Sequence, residues 1–222
     1  LFISALTLSK EITIGVGALP MPEEIPHVRS VNKSQVLRQI YDSLFYVNDY
    51  GSIQSTFFSE WNVSVKRKTI TFKLKEGLTF SDGTSITSSD MVHVFNRKFN
   101  DGTLILPEIE NIKIKKNNLI QIRFKKISKI IFDKLTDISF SVYSNKKDKW
   151  NFPVGSGIFK IISYNNNEIK LARNQYHEDF KTGNIEHINV KLLPKYNYTE
   201  QELESLGISF FPLIHILNSD FK

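Results

Sequence analysis

The chain has 222 residues with 41% hydrophobic and 12% aromatic side chains, 17 Phe among them, and a formal charge of +6 from 29 basic and 23 acidic groups. That composition supports a packed core and excludes collagen-like and disordered classes. The 222 residues contain no Cys, which removes disulfides, thiol catalysis, zinc ribbons and iron–sulfur ligation, and no apolar run reaches the ~18 residues of a membrane-spanning helix.

Residues 1–9 (LFISALTLS) are apolar with small residues interspersed. They read as the remnant of a signal peptide, with Thr7-Leu8-Ser9 as a small-x-small cleavage site; a buried N-terminal strand is the alternative. Lys10–Val16 alternates Ile12, Ile14 and Val16, the pattern of a short strand. Three prolines between Pro20 and Pro26 make the next stretch an irregular loop. Asn32 then caps a helix expected over Lys33–Phe45, with Val36, Leu37, Ile40, Tyr41 and Leu44 as its apolar stripe. Asn48–Ser52 reads as a turn, and Phe57–Val63 leads to Trp61.

Thr69–Lys75 (TITFKLK) is the clearest strand, with Ile70, Phe72 and Leu74 on one face. Turns at Glu76-Gly77 and Ser81-Asp82-Gly83 follow. Thr87-x-x-Asp90 has capping-box spacing and opens a helix to about Phe99. Ile109–Phe124 reads as a hairpin around Asn117-Asn118, Ser128–Leu135 as a short helix, and Lys146–Lys149 as a charged stretch. A second hairpin joins Phe159–Tyr164 to Glu168–Arg173. Ile188, Val190 and Leu192 form a strand ended by Pro194. Thr199-x-x-Glu202 caps a last helix that stops at Gly207, before an apolar Ile208–Leu217 read as strand-like. The class is α+β.

The lysines are spread along strands, as at Lys73 and Lys75 or Lys113, Lys115 and Lys116, alternating with Ile, Phe and Leu. They read as solvated strand faces, without the motifs of a nucleic-acid binder. The five histidines, His27, His93, His177, His187 and His215, show no metal-ligand spacing. Gly155-Ser156-Gly157 is neither a nucleophile elbow nor a phosphate loop. No enzyme, metal or cofactor is expected.

One combination of motifs is specific. Trp61-Asn62-Val63 followed by Thr69–Val92 (TITFKLKEGLTFSDGTSITSSDMV) resembles the signature of the family 5 extracellular solute-binding proteins, the peptide- and nickel-binding receptors of ABC importers. Pro153–Ile161 (PVGSGIFKI) is similar to the family's Pro-x-Gly-Thr-Gly-Pro-Tyr turn. Glu168–Tyr176 (EIKLARNQY) resembles the Arg-Asn-x-x-Tyr segment that follows, and Ile185–Pro194 the next strand. The chain departs from the family in Ile158-Phe159, where Pro-Tyr is usual, and in lacking an acid in Leu206–Phe210. Family members are roughly twice as long.

The resemblance implies a periplasmic-binding-protein-like clamshell, of which this chain supplies the first lobe and a small inserted domain, the second large lobe missing. The first lobe is expected at residues 10–44 and 153–222 and the small domain at 45–152. The implied function is binding of a small peptide or similar polar solute for import through an inner-membrane ABC permease. The binder is expected to be a periplasmic monomer, without a lipid anchor and without nucleic-acid partners. Loops are expected to form the first-lobe wall of the cleft, namely Leu19–Arg29, with Leu19, His27 and Arg29, and the turn Gly155, Ser156 and Gly157. The alternative roles are positive-φ turn geometry for Gly155 and Gly157 and a surface ion pair for Arg29. Rival readings are a degenerate paralogue without ligand binding and the ligand-sensing domain of a regulator.

Overall fold

Two apolar clusters, each backed by its own four-stranded sheet, organise the chain. The computed structural model describes residues 10–25, 30–100, 106–128, 130–193, 195 and 197–209. In chain order the first strands are β1 (Glu11–Val16), β2 (Tyr46–Val47), β3 (Ile53–Gln54), β4 (Phe58–Ser64) and β5 (Thr69–Leu74). Next come β6 (Ile109–Lys115), β7 (Leu119–Phe124), β8 (Tyr143–Lys147) and β9 (Pro153–Gly155). The last are β10 (Phe159–Tyr164), β11 (Glu168–Arg173) and β12 (His187–Leu192). The helices are α1 (Val31–Ile40), α2 (Ser88–Asn100), α3 (Ile131–Leu135) and α4 (Glu200–Ser205).

The first sheet runs β1-β12-β11-β10. The pairing of the edge strand β1 with β12 is parallel, with Ile12 opposite Ile188 and Ile14 opposite Val190. The other two pairings are antiparallel. Helix α1 lies on β10 and inserts Val36, Leu37 and Ile40 against Ile169, Leu171 and Val190. The second sheet, β4-β5-β7-β6, is antiparallel throughout. Alternation along β5 sends Ile70, Phe72 and Leu74 inward, and the ring of Phe72 lies 4.8 Å from Phe58 and 6.0 Å from Phe95. Leu74, Phe80 and Phe95 are buried in the same cluster, with Trp61 packed at its border.

The Thr69–Lys75 strand is observed as β5, and the helix anticipated at Thr87 starts at Ser88. There Asp90 reaches back to accept from the backbone N–H of Thr87 at 2.8 Å and from its hydroxyl at 2.6 Å. Asn117 and Asn118 have φ of 59° and 55° and close the β6–β7 hairpin, a conformation Asn tolerates. At α4, Thr199 and Glu202 form the expected capping box. Gly207 ends that helix with φ +67°, and the Ile208 N–H returns to the Leu203 carbonyl.

Three elements differ in their bounds from the sequence reading. The first helix begins at Val31 with Ser30 as N-cap, not Asn32, and it ends at Ile40 rather than Phe45. It stops there because Tyr41 turns extended and the chain carries Leu44 and Phe45 into the second cluster. The apolar stripe therefore continues across a boundary that periodicity alone does not mark. Helix α3 is shorter than Ser128–Leu135, and the charged Lys146–Lys149 stretch begins inside β8, paired with β9. Residues 1–9 and 210–217 lie outside the described residues, so the signal remnant and most of the apolar tail are not seen. No helix among the described residues is long and apolar enough to cross a membrane.

Candidate functional site

The two loop segments singled out in the sequence sit at opposite ends of the first sheet. Strand β10 leaves the Gly155–Gly157 turn at Phe159 and ends at Tyr164, beside the proline-rich loop. Six residues of strand span about 17 Å, and the ten residues of α1, which run the opposite way, cover about 15 Å of the same distance. The structure does not bring these segments together into one small pocket.

At the first end, the turn clasps the C-terminus of α1. The Gly157 N–H donates to the Ile40 carbonyl at 2.8 Å, satisfying one of the acceptors that every helix C-terminus leaves open. The Tyr41 hydroxyl donates to the Pro153 carbonyl at 2.9 Å. The Ser156 hydroxyl accepts from the Asp42 N–H at 3.1 Å and donates to the Val142 carbonyl at 2.7 Å. Neither glycine of the turn has positive φ, which corrects that alternative. The requirement is close approach: a Cβ on Gly155 would stand 2.1 Å from the Ile40 oxygen, and one on Gly157 2.5 Å from the Ile40 carbonyl carbon. Ser156 is buried.

Beside the clasp lies a pair that the sequence reading missed. His177 Nε2 is 2.9 Å from Asp42 Oδ2, and the His177 ring is 7% exposed. Its Nδ1 accepts from the Asp179 N–H at 3.1 Å, which fixes the ring. Burial works to lower the His177 pKa, but the hydrogen bond and charge of Asp42, with Asp179 and Glu178, outweigh it and raise it above the ordinary value. Burial raises the Asp42 carboxyl, with His177 pulling against it. A sequence separation of 135 residues gives no spacing signal for such a pair. A small hollow of about 130 Å³ opens here between the two clusters, bordered by Thr79, Ile86, Tyr176 and His177.

At the other end, the parallel strands β1 and β12 present their carboxyl ends, where open sheets with parallel strands commonly bind ligands. Leu19 is buried in the first cluster, and Ile25 packs against that cluster. Between them the loop is tied down, because Glu24 accepts from the Met21 N–H at 2.8 Å and pairs with Lys33. The hydroxyl of Tyr164 is held above its ordinary pKa by burial and then by the nearby carboxylates of Glu23 and Glu24. His27 and Arg29 lie outside the described residues.

The same end carries a wider hollow of about 590 Å³, bordered by Glu168, Lys191, Leu193, Lys195 and Tyr198. It offers an acid, two ammonium groups and an apolar floor. Lys191 donates to the Leu206 carbonyl at 3.1 Å, and Lys170 stands 3.5 Å from Glu168. These residues come from β11, β12 and the segment before α4, and no local motif groups them. Among the described residues, no set of three His, Asp or Glu side chains is placed to hold a metal.

Comparison with known proteins gives one family. Residues 53–219 match the bacterial extracellular solute-binding proteins, family 5 middle. A probable peptide ABC transporter periplasmic-binding protein of Sinorhizobium fredii is 28% identical over 94 residues, 42% of this chain and 18% of the relative. The Escherichia coli murein tripeptide binding protein MppA superposes with TM-score 0.77 at 17% identity, covering 90% of this chain and 45% of that one. The oligopeptide-binding protein AppA of Bacillus subtilis, solved with a nonapeptide, gives 0.76 at 16% identity, covering 90% and 43%. NikA from Staphylococcus aureus, solved with Ni(L-His)2, gives 0.70 at 20% identity, covering 90% and 43%. The chain thus has the periplasmic-binding-protein-like α+β fold in part, spanning less than half the length of these relatives. With the family signature matching most of its length, the chain belongs to the family 5 bacterial extracellular solute-binding proteins.

Proposed function

We propose that the chain forms the first lobe and small inserted domain of a non-enzymatic, periplasmic binding component of an ABC importer for peptides or a similar small polar solute. Family membership carries this reading. The peptide ABC transporter relative and the peptide-bound AppA support the solute class. On this reading residues 10–44 and 153–222 form the lobe, residues 45–152 the inserted domain, and an inner-membrane permease is the partner of the monomeric binder.

The ligand-facing wall is the carboxyl end of β1 and β12. It comprises the Leu19–Arg29 loop, with His27 and Arg29, and the hollow beside Glu168, Lys191 and Lys195. Charges of both signs suit a zwitterionic peptide. The turn Gly155, Ser156 and Gly157 supports this wall from behind, by fixing the helix that follows the loop.

Backbone-amide NMR of the 222-residue chain, titrated with tri- to pentapeptides, tests the assignment. Shift changes are expected at Val16–Ile25 and Leu192–Tyr198 and not at Gly155–Gly157. With the chain spanning under half of its relatives, dissociation constants weaker than about 100 μM are expected. Absence of any shift at millimolar peptide, or shifts confined to the clasp, would overturn the assignment.

A further inference from the structure

The lysines that the sequence scatters along several strands are gathered by the fold onto one face. In the second sheet Ile70, Phe72, Ile120 and Ile122 point into the core, so their neighbours point out. Register then places Lys113 opposite Gln121 and Asn111 opposite Arg123, with Lys115 opposite Leu119 and Leu119 opposite Lys73. The Gln121 side chain donates to the Thr71 hydroxyl at 3.2 Å, which confirms that these residues share the outer face. The β4–β5 turn adds Lys66, Arg67 and Lys68, all exposed, at one edge.

The face carries little to neutralise these charges. Glu60 pairs with Lys73 at 2.7 Å, and Glu110 occupies the bulge at the start of β6. Among the described residues, Lys66, Arg67, Lys68, Lys113, Lys115 and Arg123 have no carboxylate at ion-pair distance. We propose that this outer sheet face, with the β4–β5 turn, docks on a lipid surface bearing anionic headgroups.

Two observations select a lipid surface over another polyanion. Val65, immediately before the three consecutive cations, is 73% exposed and supplies an apolar tip beside basic residues, the pairing that inserts at a headgroup boundary. Nucleic-acid binding by a sheet face uses aromatic side chains on which bases stack. Trp61 borders this face, and its ring is already engaged 5.0 Å from Phe45 and 5.9 Å from Phe132. A shallow hollow of about 370 Å³ between Asn62, Thr71, Lys73 and Asn117 gives the face room for a headgroup.

Flotation of the 222-residue protein with vesicles tests this. One set is phosphatidylcholine alone, and the other contains about 30 mol% phosphatidylglycerol, each at about 0.1 M and about 0.5 M salt. Association is expected only with the anionic vesicles and only at the lower salt. The variant K113Q/K115Q/R123Q should bind more than about tenfold more weakly, as should K66Q/R67Q/K68Q, since each basic residue near an anionic surface contributes roughly fivefold. The variant K134Q/K147Q/K181Q removes as much charge elsewhere and should bind within about twofold of the parent. Thermal melts of all variants show that these exposed changes leave the fold intact. The proposal is overturned if the anionic vesicles do not retain the protein, if the control variant loses as much binding, or if a single-stranded DNA oligonucleotide binds more tightly than the vesicles.

Discussion

The side-chain amide of Asn174 donates to the backbone carbonyl of Gly157 at 2.9 Å, joining the two family motifs of the first sheet through a residue with no exposed surface. The Asn174 N–H also donates to the Ile158 carbonyl at 2.8 Å, and its Oδ1 accepts from the Tyr176 N–H at 3.1 Å. Tyr176 then covers Gly83 of the second unit and accepts from the Thr79 hydroxyl through its carbonyl. One asparagine thus braces the clasp on α1 and the seam between the clusters.

Asn174→Ala is expected to destabilise the protein by about 2–3 kcal/mol, because it leaves the buried Gly157 carbonyl without its amide donor and the partly buried Tyr176 N–H without its acceptor. Asn174→Asp should cost more, since it sets a carboxylate against the Gly157 oxygen. Urea unfolding curves measure both. A cost under about 0.5 kcal/mol for Asn174→Ala would show that the brace is dispensable.

Gly155→Ala and Gly51→Ala separate two reasons for glycine. At Gly155 the new Cβ meets a backbone oxygen at 2.1 Å, and an overpacking cost of about 3 kcal/mol is expected. At Gly51, with φ +74° and open space around it, only the left-handed conformation is penalised, at about 1 kcal/mol. Equal losses in chemical denaturation would contradict this distinction.

Phe72→Ala should cost about 3–5 kcal/mol, as expected for truncating a wholly buried ring. Loss of cooperativity in the Trp61 fluorescence transition should accompany it, since Trp61 borders the same cluster.

The His177–Asp42 pair predicts a pH dependence of defined sign. The native His177 pKa is raised above its unfolded value. Its contribution is therefore complete below about pH 6.5 and is lost as pH rises through the higher native pKa. The melting temperature should fall from pH 6 toward pH 8.5 in the parent, and this slope should flatten in His177→Gln. A steeper fall in the variant would assign the dependence to another group. At pH 6 the variant should be less stable by about 3 kcal/mol, for a buried carboxylate left without its partner.

The sequence made the second unit readable because its signals are local. Alternation along Thr69–Leu74, the Asn117-Asn118 turn and the Thr87/Asp90 box each lie within a few residues of what they determine. The end of α1 was not readable, because Tyr41 and Leu44 are apolar in helical register yet serve different cores. The candidate wall was legible only in part. Leu19–Arg29 follows from loop composition, but Glu168, Lys191 and Lys195 meet through the pairing of β11 with β12 and the path of the chain after it. Gly155 and Gly157 stood out as glycines, but the carbonyl they avoid belongs to a helix more than a hundred residues earlier.

The parallel pairing of β1 with β12 also orders events in time. Lys10 and Glu186, which pair at the start of this register, are separated by 176 residues. At roughly 10 residues per second of synthesis, β1 waits on the order of 20 seconds for its partner, while Thr71 of β5 and Gln121 of β7 are only 50 residues apart. The second unit is positioned to close early, and the first sheet keeps an open edge until β12 has been made. Interruption of synthesis before His187 therefore leaves a formed inner unit flanked by an exposed strand of Ile12, Ile14 and Val16. That strand is the segment on which a chaperone holding the nascent protein would act.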